Sequence, residues 1–249
     1  MILFTSKIID IEPCKKNISK VILEKPNNFE YFAGQYCFLG AHANDTAFRP
    51  YSIASAPHED VLIFHVKDVK EASSLSSFLC DKKNIGKTIH VKQAEGDMTF
   101  PREFDLNHHY LFLCAGVGLS PIWSILKNLA FRNELDAKIS IYWGMNSEDE
   151  FYEQELLALL EKFKNCNLTV CAERFDNNKV SYSRQKGLVG DAATRDFEDL
   201  NDMSVFIAGP TPMVQHTLEA LSLKDLEEIN IYCDYKFLLN DFSYKNKAV

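Results

Sequence analysis

A change of rhythm near residue 105 constrains this chain more than any other feature. Before it, short runs rich in Ile, Val, Phe and Tyr cover residues 2–11, 18–25, 35–40, 48–55, 61–67 and 88–92. Turn segments such as KPNN and HAND separate them, and one short helical piece lies near 75–81. Six short strands in about a hundred residues predict a small antiparallel β-barrel or sandwich. After FPREFDLNHH (100–109) the pattern becomes strand, turn, helix, strand. YLFLCA (110–115) precedes a helix with Ile122, Ile125, Leu126 and Leu129 on one face. KISIYW (138–143) precedes an acidic helix carrying Leu156, Leu157, Leu160 and Phe163, and NLTVCA (167–172) follows. A helix near 191–200, strand SVFIA (204–208), a helix through Val214, Leu218 and Leu221, and strand INIYC (229–233) complete the series. Strands alternating with helices predict a Rossmann-like α/β domain on a parallel five-stranded sheet. The expected domains are 1–104 and 105–249, with the boundary at 101–107.

Charge follows the same division. Residues 1–104 hold 13 basic and 13 acidic groups, and residues 105–249 hold 14 and 22, which accounts for the net −8. This sign argues against a nucleic-acid partner. No apolar run approaches the roughly 20 residues of a membrane span, and the first ten residues lack a signal-peptide pattern. The expectation is a cytoplasmic protein. Most of the seven scattered cysteines lie in apolar surroundings and read as buried free thiols. Cys166 and Cys171 have the spacing of the first pair of a plant-type iron–sulfur loop, but the third cysteine is missing. No metal site is expected.

Two helix starts share a grammar. In AGVGLSPIW (115–123), Gly116 and Gly118 free the backbone where it turns sharply. Ser120 suits an N-cap and Pro121 the first helical position. Unpaired amides at such a helix start suit a pyrophosphate. In AGPTPMV (208–214), Gly209 and Pro210 form the turn, Thr211 suits a cap and Pro212 the helix start. Both follow strands of the α/β region, where open sheets bind ligands. In the first region, FRPYSIASAP (48–57) sets Arg49, Pro50, Tyr51 and Ser52 in one extended run.

R-P-Y-S, then G-V-G-L-S-P, then A-G-P-T-P-M, in this order over essentially the whole chain, resemble the ferredoxin–NADP reductase superfamily. Phe32-Ala33-Gly34-Gln35-Tyr36 is similar to the barrel strand that precedes the family's flavin segment. The resemblance implies that Arg49 pairs with a flavin phosphate and that Tyr51 lies against the isoalloxazine ring. It implies that Ser52 hydrogen-bonds near flavin N5, so Tyr51 and Ser52 are the expected catalytic residues. SLSSFLCD (74–81) resembles the second flavin segment, with Ser76 as a phosphate contact and Leu79 in register, but Ser73 stands where the family has glycine. The implied flavin is FAD, with FMN or a loosely bound flavin left open. Gly116, Gly118, Ser120 and Pro121 match the family's nucleotide pyrophosphate turn, and Gly209 and Pro210 match its nicotinamide turn. Ala208 stands where cysteine is common in the family and where the flavin reductase branch tends to carry alanine.

The function implied is an NAD(P)H-dependent flavin oxidoreductase that passes electrons to free flavin or another small acceptor. The alternatives are a reductase component serving a ferredoxin or oxygenase, and a flavin- or nucleotide-binding subunit without turnover. NADH and NADPH are not distinguished. Arg174, or the later basic residues Arg184 and Lys186 beside Tyr182, suit a 2′-phosphate, whereas Glu173 suits a free ribose. Tyr235 or Phe237, near the end, is a candidate cover for the flavin face.

Overall fold

The computed structural model describes residues 2–15, 17–43, 48–71, 74–100, 108–147, 153–175, 179–200, 202–224 and 230–235. Packing divides the chain into two compact units, one of residues 1–100 with 120–132 and one of 101–119 with 133–249. The boundary expected at 101–107 lies outside the described residues.

In the first unit, strands β1 (Leu3–Lys15), β2 (Ile18–Glu24), β3 (Tyr36–Gly40), β4 (Arg49–Ser52), β5 (Val61–Lys67) and β6 (Thr88–Lys92) form one antiparallel sheet. The order is β4-β3-β6-β1-β2-β5. β1 pairs with β6 through its first residues (Leu3↔Lys92) and with β2 through its later ones (Ile11↔Val21). A register irregularity between Ile8 and Asp10 falls where the pairing changes, and such bulges bend a strand around a barrel corner. The sheet closes where the Ala54 amide donates to the Ile63 carbonyl at 2.7 Å. Alternating burial on β6 (Ile89 and Val91 inward) is the period-2 signature of a strand with one wet face. β5 departs from it, being buried on both faces from Leu62 to Val66. The cover is α2 (Leu119–Phe131), whose Trp123 and Ser120 meet His65 of β5. The short helix α1 (Leu75–Cys80) packs Leu75, Phe78 and Cys80 against the same core as Tyr51.

The second unit has a wholly parallel sheet. Its strands are β7 (His109–Ala115), β8 (Lys138–Gly144), β9 (Asn165–Cys171), β10 (Ser183–Gln185), β11 (Met203–Ala208) and β12 (Ile231–Tyr232). The order is β10-β9-β8-β7-β11-β12, with helices α3 (Glu153–Leu160), α4 (Val189–Asp196) and α5 (Thr211–Ser222) between strands. The sheet therefore has six strands, not the five expected. The added strand, Ser-Arg-Gln, has no apolar alternation to announce it. Hydrogen bonds with β9 and the Asp196 carboxylate hold it, the latter accepting from Gln185 Nε2 and the Tyr142 hydroxyl, each at 2.6 Å. β12 is also short, and a stack of rings extends the sheet to it: Phe112 on Phe206 at 4.8 Å and Phe206 on Tyr232 at 4.6 Å. β7 to β10 run outward in one direction and β11 to β12 in the other. The reversal between β7 and β11 is the place where open α/β sheets take ligands.

Candidate functional site

β4 is an edge strand in the hydrogen-bonded order, which tolerates Pro50 because no ladder bond needs its missing N–H. Its pairing with β3 sets Tyr51 opposite Cys37 and Ser52 opposite Tyr36. Successive side chains point to opposite faces, so Arg49 and Tyr51 share one face and Pro50 and Ser52 the other. Tyr51 is half-buried, its ring edge-on to Phe64 at 6.4 Å. Burial pushes its hydroxyl up to about 12, with Cys80 adding to the shift and Arg49 opposing it. The phenol is thus a neutral donor at ordinary pH. Among the described residues, neither the exposed Arg49 guanidinium nor the Ser52 hydroxyl has a hydrogen-bond or ion-pair partner. A half-buried ring flanked by an uncompensated cation and a free hydroxyl fits an aromatic ligand that carries negative charge.

The segment before β3 needs its glycine. Gly34 has φ +99°, and a Cβ there would lie 2.0 Å from the Met98 carbonyl oxygen. Gln35 then accepts the Ile53 amide on its own carbonyl, tying the segment to the end of β4. Beyond Ser52 the chain dives inward: Ile53, Ala54, Ser55 and Ala56 are buried. The Ser55 carbonyl accepts from the Tyr31 hydroxyl at 3.1 Å and from Ser124 of α2 at 2.6 Å.

Ser76 lies in α1 and is buried. Its hydroxyl takes the Val69 amide at 3.4 Å and lies 3.1 Å from the N-cap hydroxyl of Ser74. Ser73, expected at the glycine position, lies outside the described residues.

In the second unit the two glycine turns, 93 positions apart, meet. A Cβ on Gly118 would lie 2.3 Å from the Ala208 carbonyl oxygen and 2.8 Å from Gly209 Cα. Gly209 in turn faces the Ala115 amide and Met213 Sδ, at 3.3 and 3.0 Å from an added Cβ. Gly116 has φ +53° with open space beside it. Its carbonyl is held by Trp143 Nε1 at 3.0 Å, a contact no motif announced. Only the apolar run of β8 marked Trp143, as a core residue.

Two capping expectations are corrected. Ser120 does not cap α2: a 3-10 turn over Gly116–Gly118 leads straight into the helix at Leu119, and the Ser120 hydroxyl is buried 3.1 Å from His65 Nδ1. Pro121 follows it inside the helix, also buried. Thr211 does not cap α5: the N-cap is Pro210 and no side chain caps the helix start, where Pro210, Thr211 and Pro212 are exposed. Pro210 and Pro212 carry no N–H and the Met213 and Val214 amides donate to the Pro210 carbonyl, so this start leaves the Thr211 amide for an anion.

Glu173, Arg174 and Lys186 are exposed, while Arg184 lies over the rings of Phe175 and Tyr182 at 5.5 and 5.9 Å. The Tyr235 hydroxyl donates to the Gly209 carbonyl at 3.0 Å, and Phe237 lies outside the described residues. Burial raises the thiols of Cys37, Cys114, Cys166, Cys171 and Cys233. No group of three or more metal-ligating side chains occurs among the described residues.

Known proteins agree with this geometry. Residues 3–117 match the family model of an FAD-binding domain, and residues 112–219 that of an oxidoreductase NAD-binding domain. The chain is 29% identical over 216 residues to a probable flavin reductase of Photobacterium leiognathi, covering 85% of this chain and 88% of that protein. It is 26% identical over 216 residues to a Ralstonia sp ferredoxin--NAD(P)(+) reductase component of naphthalene 1,2-dioxygenase/salicylate 5-hydroxylase systems, covering 86% of this chain and 61% of that one. A ferredoxin NADP+ reductase from Neisseria gonorrhoeae, solved with FAD and NADP, shares the fold with a TM-score of 0.74 at 21% identity, covering 89% of this chain and 91% of that one. Fold and site define an oxidoreductase with an FAD-binding and an NAD-binding domain. The chain shares this two-domain fold with ferredoxin NADP+ reductases of known structure.

Proposed function

We infer that this protein is an NAD(P)H-dependent flavin oxidoreductase, transferring a hydride from nicotinamide to a flavin and delivering the electrons to free flavin or another acceptor. The observation that carries this reading is the set on β4, where Tyr51 stands half-buried beside an Arg49 guanidinium and a Ser52 hydroxyl, neither of which has a hydrogen-bond or ion-pair partner among the described residues. When bound, the flavin supplies the redox chemistry, and the chain supplies position and electrostatics. Tyr51 offers a flat face with its hydroxyl neutral, and Ser52 a hydroxyl to hydrogen-bond at N5. Arg49 offers a forked cation for a phosphate. Gly118 and Gly209 allow two backbones to meet where a dinucleotide pyrophosphate needs close approach, and the uncapped start of α5 offers the Thr211 amide. Gly116, Ser120 and Pro121 are assigned to the same turn, Ser120 through its backbone because its hydroxyl faces His65.

In this reading residues 1–104 carry the flavin and residues 105–249 the nucleotide, in a cytoplasmic enzyme. No helix among the described residues is long and apolar enough to cross a membrane. Stopped-flow mixing of flavin-loaded protein with NADH or NADPH tests the activity: rapid bleaching of the flavin absorbance is expected, and no bleaching by either supports a non-catalytic binding subunit. The similarity to an oxygenase-system reductase component favours a second reading, electron delivery to a ferredoxin or oxygenase. NAD(P)H oxidation stimulated by a ferredoxin but not by added FMN or riboflavin selects that reading.

A further inference from the structure

The parallel pairing of β11 and β12 sets Phe206 beside Tyr232. Continued along both strands, the same register brings Gly209 level with Tyr235. Here the chain bends, the Tyr235 amide donating to Cys233 Sγ at 3.5 Å. The Tyr235 ring packs, partly buried, on the core that holds Ile207, Val214 and Cys233. Its hydroxyl donates to the Gly209 carbonyl at 3.0 Å.

That carbonyl needs a donor from outside its own turn. Residue 210 is proline, so the Gly209–Pro210 peptide carries an acceptor and no N–H. The amides at the start of α5 do not reach it, because those of Met213 and Val214 go to the Pro210 carbonyl at 2.9 and 3.1 Å. Among the described residues, the Tyr235 hydroxyl is the hydrogen-bond partner of the Gly209 carbonyl. Gly209 is also where the two glycine turns meet, its Cα against Gly118 and its own side facing the Ala115 amide. One hydroxyl from the end of the sheet thus fixes the peptide that joins β11 to α5.

We propose that Tyr235 is a positioning residue for hydride transfer: through its hydroxyl it holds the Gly209–Pro210 peptide in the place against which the nicotinamide is set. This rests on the reading that the Gly209 turn faces the nicotinamide of a bound NAD(P)H. The hydroxyl, rather than the aromatic face, is then the working part of Tyr235.

Tyr235→Phe tests this, since it keeps the ring on the core and removes only the donor. In flavin-loaded protein, the limiting rate of flavin reduction by NADH or NADPH is expected to fall about three- to tenfold, the effect of losing one hydrogen bond. The inhibition constant of ADP-ribose, which has the adenosine and pyrophosphate but no nicotinamide, is expected to change less than twofold. In protein free of flavin and nucleotide, amide hydrogen exchange at Met213 and Val214 is expected to quicken about two- to tenfold, because the start of α5 is less firmly held. A reduction rate within twofold of native, an ADP-ribose constant that rises as much as the rate falls, or unchanged exchange at both amides overturns the proposal. A variant that does not fold overturns it too, since the hydroxyl would then serve the fold as a whole. Absence of flavin bleaching in the native protein overturns the activity reading itself. That failure is separable, because the exchange comparison needs neither flavin nor nucleotide and still decides whether Tyr235 holds the turn.

Discussion

Arg49 and Tyr51 share one face of β4, while Ser52 stands on the other beside Tyr36. Arg49 and Tyr51 therefore act together on one ligand surface. Double replacement by alanine is expected to weaken flavin binding more than tenfold in a fluorescence titration while leaving the far-ultraviolet circular dichroism unchanged, because Arg49 is exposed and Tyr51 packs only partly buried against the barrel core. His65 shows the opposite situation, a polar residue serving the fold. Burial holds its pKa down to about 3, with Lys127 and Lys20 adding to the shift. An unfolded histidine titrates near 6.5, so between these values the unfolded chain binds the additional proton. The contribution of His65 is complete above about pH 6.5 and is lost as pH falls toward 3. Urea unfolding from pH 7.5 to 5 is expected to show up to about 1.4 kcal/mol lost per pH unit from this residue. His65→Gln is expected to flatten that slope.

At the scale of elements, the two glycine turns illustrate what spacing says and what it omits. Both were legible as strand-to-helix turns, and each glycine does a different job. Gly118 is required by contact, since an added Cβ collides with the Ala208–Gly209 backbone. Gly116 is required by conformation alone, with φ +53° and open space. Gly118→Ala is expected to cost about 2–3 kcal/mol, as overpacking against backbone does, and to raise the KM for NAD(P)H. Gly116→Ala is expected to cost about 1 kcal/mol, the price of a left-handed residue with a side chain. Urea denaturation of the two variants side by side reads the difference. The misassigned caps have one physical origin. Ser120 and Thr211 have good capping chemistry, but a 3-10 turn and a proline had already set where each helix begins. β10 escaped notice because Ser183–Gln185 is held by strand pairing and by Asp196, neither of which leaves a local apolar pattern.

For the whole molecule, the packing of α2 changes what a domain boundary means. Residues 120–132 group with the barrel, where Ser124 bonds the Ser55 carbonyl, Lys127 pairs with Glu59 at 3.1 Å and Phe131 stacks on His58 at 3.7 Å. A fragment ending at residue 104 would leave the outer face of β5 bare, exposing Ile63 and His65. Such a fragment is expected to aggregate or to lack a cooperative urea transition, whereas the full chain unfolds cooperatively. Recovery of a soluble, cooperatively folded fragment would show that α2 is dispensable to the barrel.

The sequence by itself determined the class of each half, because period-2 runs and strand–helix alternation are local consequences of which residues must face a core. It also carried the β4 residues and both glycine turns, since a tight turn writes its requirement into the residues that make it. Only the tertiary structure decided that Gly118 rests on Ala208, that Trp143 holds the Gly116 carbonyl, and that α2 covers β5. It alone brought the Ser77 hydroxyl to Asp68, nine positions away. These are contacts between residues distant along the chain or hydrogen bonds with a choice of partner, and chain spacing does not select among such partners.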